Sequence, residues 1–129
     1  MISEPSRAEE KEMNLHTYIE ETYGVTGEHP FAMDTTTCVF RHQSNRKWFA
    51  VIMEIPGEKL GLSCETIRVV NVKCDPRLIG SFRQEAGIFP AYHMSKAHWL
   101  TVSLDGTVDE NKIRFLLDLS YDLTKGKKK

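Results

Sequence analysis

The sequence predicts an α+β domain, an antiparallel sheet with an N-terminal, a middle and a C-terminal helix packed on one face. Three observations predict it. Apolar residues recur at helical spacing near both ends of the 129-residue chain. Runs rich in β-branched and aromatic residues, bounded by turn residues, lie between them. The resulting order is α, β, β, β, α, β, α. A chain of this length buries roughly two thirds of its unfolded surface and needs no disulfide or structural metal to hold a core. No repeat or long linker divides it, so residues 1–129 are read as a single domain with a basic tail at 125–129.

The first helix opens at Ser6-Arg7-Ala8-Glu9, a capping-box spacing in which hydroxyl and carboxylate satisfy each other's free backbone donors. Leu15, Ile19 and Tyr23, with Met13 and Tyr18 beside them, form its apolar stripe, and Gly24 ends it. After the loop Gly27-Glu28-His29-Pro30, residues 36 to 42 and 47 to 55 read as a hairpin joined by Gln43-Ser44-Asn45-Arg46. Pro56-Gly57 ends the second strand, a polar loop follows, and residues 66 to 73 form the third strand. Asp75 and Pro76 start the middle helix as N-cap and first helical residue. Its expected buried stripe is Leu78, Ile79, Phe82 and Ala86, up to Gly87. Residues 97 to 104 form the last strand, and Asp105-Gly106 the turn after it. The last helix runs from Thr107 or Asp109 to about Thr124, with a second capping box at Thr107 and Glu110 and an inner face of Ile113, Leu116, Leu117, Ser120 and Tyr121.

Alternation along the strands assigns faces. Phe49, Val51, Met53 and Ile55 are expected toward the helices, with Trp48 and Glu54 opposite. His98, Leu100, Val102 and Leu104 are expected on the apolar side, with Trp99, Thr101 and Ser103 opposite. Both tryptophans then face away from the helices, where a large aromatic is unusual unless a loop, a partner or a ligand covers it.

The chain carries 17 Lys plus Arg against 18 Asp plus Glu, a formal net charge of −1, which excludes a protein whose whole surface grips nucleic acid. The charge is uneven. The first 65 residues hold 6 basic and 11 acidic side chains, the last 64 hold 11 and 7. Lys73, Arg77, Arg83, Lys96 and the tail Lys125, Lys127, Lys128 and Lys129 supply the positive half, with Arg46 and Lys47 at the hairpin tip. Clustered Lys and Arg suit phosphate, and aromatics beside them suit stacking. Equally, a run such as Lys127 to Lys129 is an ordinary solvated tail.

Other chemistry is thinly represented. Cys38, Cys64 and Cys74 are odd in number and form no CxxC pair, which points to reduced, mostly buried thiols. Cys74 with His93 or His98 is the sole nucleophile and base combination. No nucleophile elbow or Gly-rich phosphate loop accompanies it, so no enzyme and no cofactor is expected. Glu12, His16 and Glu20 share one stripe of the first helix, which either holds a divalent cation weakly or is a solvated face. The charged, polar start MISEPSRAEE and the absence of a long apolar run predict a cytoplasmic protein without membrane contact.

The stretch Val70-Asn71-Val72-Lys73-Cys74-Asp75-Pro76, the stretch from Pro90 through Tyr92, His93, Met94, Lys96, His98 and Trp99 to Val102, and Leu119-Ser120-Tyr121-Asp122-Leu123 resemble the MmcQ/YjbR family of small bacterial proteins. His29-Pro30-Phe31 and the hairpin around Trp48-Phe49-Ala50 resemble its looser first half. Ser95 stands where the family pattern has Asn. The resemblance implies a frataxin-like, or CyaY-like, fold and DNA binding through a double wing, and it brings no catalytic residues. Its motif residues Asn71, Lys73, Cys74, Asp75, Pro76, Pro90, Tyr92, His93, Met94, Lys96, His98 and Trp99 admit two readings. They form a functional patch, or they hold the turn between the middle helix and the last strand. The DNA-contacting set expected is Arg46, Lys47, Lys73, Arg77, Lys96, His98 and Trp99. Protein binding through Trp48 and Trp99 on the outer sheet face is the alternative.

Overall fold

Helix α1 (Arg7–Tyr23) stops where Gly24 takes a φ of +65° and donates its N–H to the Glu20 carbonyl, a left-handed turn that glycine adopts without steric cost. The computed structural model describes residues 7–31, 33–34 and 36–126, with the side chains of α1 described from Leu15 onward. The Ser6 capping box and Met13 therefore lie outside the described side chains.

Five strands follow: β1 (Cys38–Arg41), β2 (Trp48–Pro56), β3 (Thr66–Lys73), β4 (Ile88–Pro90) and β5 (Trp99–Ser103). They lie in the order β1-β2-β3-β5-β4, with every neighbouring pair antiparallel. Strand β4 has no counterpart in the expected order α, β, β, β, α, β, α. This strand has only three residues and ends in Pro90, and an edge position tolerates the missing N–H.

Helix α2 (Pro76–Phe82) begins as expected, the Asp75 carboxylate accepting the Arg77 N–H at 2.9 Å. It ends four residues before Ala86. Ile79 is buried, but Leu78 and Ala86 are exposed, which corrects the expected stripe: two turns of helix bring few residues to one side, and turns carry the chain from Arg83 to Gly87. Helix α3 (Glu110–Thr124) is capped by Asp109, whose carboxylate accepts the Asn111 N–H, rather than by Thr107.

All three helices bury residues against one sheet face. Leu15, Ile19, Ile79, Ile113, Leu116 and Leu117 meet Phe40, Phe49, Ala50, Ile52, Val70, Val72, Leu100 and Val102. Here the expected face of β2 is corrected. The ladder shifts between Phe40 and Arg41: Phe40 pairs with Ala50 and Arg41 with Trp48, leaving Phe49 as the extra residue of a bulge. Past the bulge, Ala50 and Ile52 point to the helices. Val51, Met53 and Ile55 point to the other side, where Ile55 packs with Ile67, Val69 and the half-buried Met53, Leu60, Leu62 and Tyr92. β2 is apolar on both faces, so alternation alone did not distinguish them.

The β2–β3 ladder ends at the bulge, with Ala50 opposite Val72, and α3 satisfies the backbone beyond it. The buried Ser120 hydroxyl accepts the Lys73 N–H at 2.8 Å and donates to the Phe49 carbonyl at 2.6 Å. No helix among the described residues is long and apolar enough to cross a membrane.

Candidate binding face of the sheet

The face turned away from the helices is built from alternate residues of β2, β3 and β5. Asn71, fully buried, accepts the Thr101 hydroxyl at 2.6 Å on its Oδ1 and donates Nδ2 to the Tyr92 carbonyl at 3.0 Å. Thr101 Oγ1 in turn accepts the Tyr92 N–H at 2.9 Å. Two buried polar side chains thus pin the loop after β4 to the sheet, each satisfied by the other and by backbone. The same loop is fastened by Lys96 Nζ donating to the Ala91 carbonyl at 3.0 Å and by Cys74 N–H donating to the His98 carbonyl at 2.8 Å. His93 takes a φ of +60°, and its ring lies 4.0 Å from that of Tyr92. Much of the motif identified in the sequence therefore holds this loop.

Apart from Lys96, the expected contact residues fall into four groups. Lys73 pairs in register with Trp99 at one end of the sheet, and alternation puts both on the outer face with Thr101. The bulge brings Trp48 to the same face, where it lines a cleft with Val51, Met53 and Ile55. Trp48, Lys73 and Trp99 thus lie at one end of three adjacent strands, and all three are half-buried. Arg46 and Lys47 are exposed at the tip of the β1–β2 hairpin, where Arg46 adopts a φ of +65° and Asn45 donates to the Thr124 carbonyl at 2.8 Å. Arg77, by contrast, donates Nε and a terminal NH2 to Asp75 at 3.1 and 2.7 Å. Those hydrogen bonds hold the Asp75 carboxyl down at about 2, so the pair is charge-compensated. His98 was expected on the apolar side of its strand. It is exposed and precedes β5, because the loop ends by donating the His98 and Trp99 N–H groups to the Ser95 carbonyl.

Alternation misses the cleft on this face. It encloses 440 Å³ between the loop carrying Phe31, Asp34 and Thr37 and the one carrying Tyr92, His93 and Met94, over a floor of Val51, Met53 and Ile55. Phe31 stands edge-to-face to Trp48, ring centroids 6.3 Å apart. The Asp34 carboxylate accepts the Thr36 hydroxyl and N–H at 2.7 and 3.0 Å and also the Thr37 hydroxyl. Those bonds, the Thr37 hydroxyl first, hold its carboxyl at about 2. The Phe31 to Thr37 loop has no periodicity, so no sequence signal pointed to it.

The remaining candidates have local roles. Cys74 is 2% exposed, and burial followed by the neighbouring Asp75 charge raises its thiol pKa, which keeps it protonated and a poor nucleophile at neutral pH. Burial likewise pushes Cys38 up to about 11; Cys38 and Cys74 are buried and Cys64 is exposed, in keeping with mostly buried thiols. On α1, His16 packs edge-on to Phe40 at 5.8 Å, and Glu20 accepts the Gly27 N–H at 3.0 Å. The Glu12 side chain lies outside the described residues.

Comparison with known proteins places the chain. A family model described as YjbR matches residues 20–123. YyaQ of Bacillus subtilis (strain 168), an uncharacterized protein, is 35% identical over 113 residues, 87% of this chain and 96% of that protein. YjbR of Escherichia coli K12, also uncharacterized, is 35% identical over 74 residues, 57% of this chain and 55% of that protein. A crystal structure of a Pseudomonas syringae protein superposes with a TM-score of 0.85 at 39% identity, covering 87% of this chain and 97% of that one.

Proposed function

This chain belongs to the YjbR family, and from that premise we propose that it is a non-enzymatic, cytoplasmic DNA-binding protein that contacts DNA with the Trp48, Lys73 and Trp99 end of its sheet. The observation that carries the reading is the register that sets Lys73 opposite Trp99 on the face to which the bulge also turns Trp48. A cation between two aromatics matches the two needs of a nucleic acid, phosphate neutralisation and base stacking. Arg46 and Lys47 at the hairpin tip serve as one wing of the double-wing arrangement implied by the family resemblance, and Lys96 and His98 lie on the loop that leads into Trp99. Arg77 contributes little because Asp75 offsets it.

Fluorescence anisotropy with labelled duplex and single-stranded DNA tests this at low and moderate salt. Four cations, Arg46, Lys47, Lys73 and Lys96, bound the salt response: log affinity falls against log salt by roughly 0.9 per phosphate contacted, so a slope no steeper than about −4 is expected. Absence of binding to either form at low salt rejects the reading.

A second reading is favoured by the same two aromatics standing on the face turned away from α1, α2 and α3: a protein partner anchored by Trp48 and Trp99. Such a complex survives moderate salt, whereas a phosphate contact does not. Wild type and a folded Trp48→Ala, Trp99→Ala variant compared in a pull-down decide it, and identical partner sets reject the protein reading.

A further inference from the structure

The cleft beside Trp48 calls for a ligand of different chemistry from DNA. We propose that it binds a small organic cation with an apolar body, an alkyl- or arylamine, seated against Trp48 and Phe31 with its ammonium toward Asp34. Trp48 is shared with the proposed DNA contact, but Asp34 and the floor residue Met53 are not, so variants at those two positions test the cleft separately from the nucleic-acid reading.

The size fits. A volume of 440 Å³ lies inside the range of roughly 300–1,000 Å³ typical of small-molecule sites. Lining chemistry sets the class. Val51, Met53 and Ile55 form an apolar floor, and Phe31 and Trp48 meet at 82°, making an aromatic corner whose ring faces attract a cation. Met94 and Tyr92 supply the opposite wall. Among the lining residues are no Lys and no Arg. Glu54 borders the cleft, but strand alternation turns its side chain to the other face, paired in register with Arg68. The fixed charge of the cleft therefore rests on Asp34, which stays ionised throughout the physiological range because Thr36 and Thr37 donate to it. Arg41, opposite Trp48 in register, is engaged by Glu28 at 2.9 Å. Arg68 reaches the Thr36 carbonyl at 3.5 Å from outside the lining, so an anionic ligand would meet the Asp34 carboxylate with no cation in the cleft wall itself. A neutral one would gain the apolar contacts alone.

Three probes with one body separate these cases: 4-phenylbutylamine, 4-phenylbutanol and 4-phenylbutyrate, titrated into the full chain while the Met53 and Met94 methyl and Trp48 indole NMR signals are followed. The amine is expected to shift all three signals and to bind about tenfold more tightly than the alcohol, the sum of a modest ion pair and a cation–π contact. The carboxylate binds most weakly. Asp34→Asn brings amine and alcohol together. Because Asp34 also organises its own loop, Met53→Lys is the second variant: it places a cation in the floor, leaves Asp34 intact, and abolishes amine binding. The proposal is overturned by unshifted signals with the amine, by equal amine and alcohol affinity in the wild type, or by an amine preference that persists in either variant.

Discussion

The two faces of the sheet are closed by different forces. On the helix side, Phe40, Phe49, Ile52, Val70, Leu100 and Leu117 are all fully buried, and the polar groups admitted, Ser120, Thr124 and His42, are hydrogen-bonded to one another's segments or to interrupted strand backbone. The outer side of the same strands has a smaller apolar cluster, Ile55, Ile67 and Val69, with Val51 buried beside the cleft. It relies instead on the Asn71, Thr101 and Tyr92 hydrogen bonds to draw a loop across, and leaves a cleft and two half-buried tryptophans. Apolar packing seals a surface. A few directed hydrogen bonds hold a loop in place without filling the space beneath it, which is why the ligand-accessible surface lies on this side.

The sharpest contrast comes from truncating one apolar residue on each face. Leu117→Ala, in the fully buried cluster, is expected to cost about 3 kcal/mol, while Met53→Ala at the half-open cleft costs about 1 kcal/mol. Urea unfolding measures both, and equal losses would erase the distinction between the faces.

Next come the polar residues that each face depends on. Ser120→Ala strands the Lys73 N–H and Phe49 carbonyl at the bulge, for a loss of about 2 kcal/mol. Its effect is global, because the bulge lies in the core. Asn71→Ala costs about 1–2 kcal/mol and acts locally, releasing the 91–98 loop. Hydrogen exchange at the Tyr92 amide then accelerates more than at Val70. An unchanged Tyr92 amide would mean that the loop is held by other contacts.

The smallest effect is a pH dependence that belongs to the helix side. His42 is 4% exposed, and burial, followed by repulsion from Lys125 and Lys47, outweighs a Tyr121 backbone bond to lower its pKa from 6.5. The unfolded chain therefore binds the proton more readily than the folded one, and stability falls as pH drops below about 6.5. His42→Gln removes this slope. Denaturant midpoints at pH 7.5 and 5.5 in both proteins check it, and parallel shifts would assign the titration elsewhere.

Several elements were legible because their signals are local. The third strand was read at its observed limits, Thr66 to Lys73, and Asp75 with Pro76 marked the start of α2 through cap chemistry that needs no tertiary partner. The family was recognisable from the Asn71 to Pro76 and Pro90 to Val102 stretches, and the YjbR match over residues 20–123 agrees. Strand β4 escaped because three residues ending in Pro90 carry no period. The end of α2 escaped because Ala86 continues a helical spacing that the chain abandons at Arg83. His98 escaped because alternation was extended two residues ahead of the true start of β5.

Local signals were enough to mark the three helices, four of the five strands, the Asp75 cap and the outward Trp99, since each follows from interactions within a few residues of chain. Tertiary structure alone decided which side of β2 meets the helices. Val51, Met53 and Ile55 are as apolar as Ala50 and Ile52, so alternation fits either face. The choice belongs to the one-residue bulge at Phe49 and to Ser120, 71 residues after Phe49, which satisfies the backbone that the bulge leaves unpaired. The position of Trp48, and with it the cleft, follows from that choice.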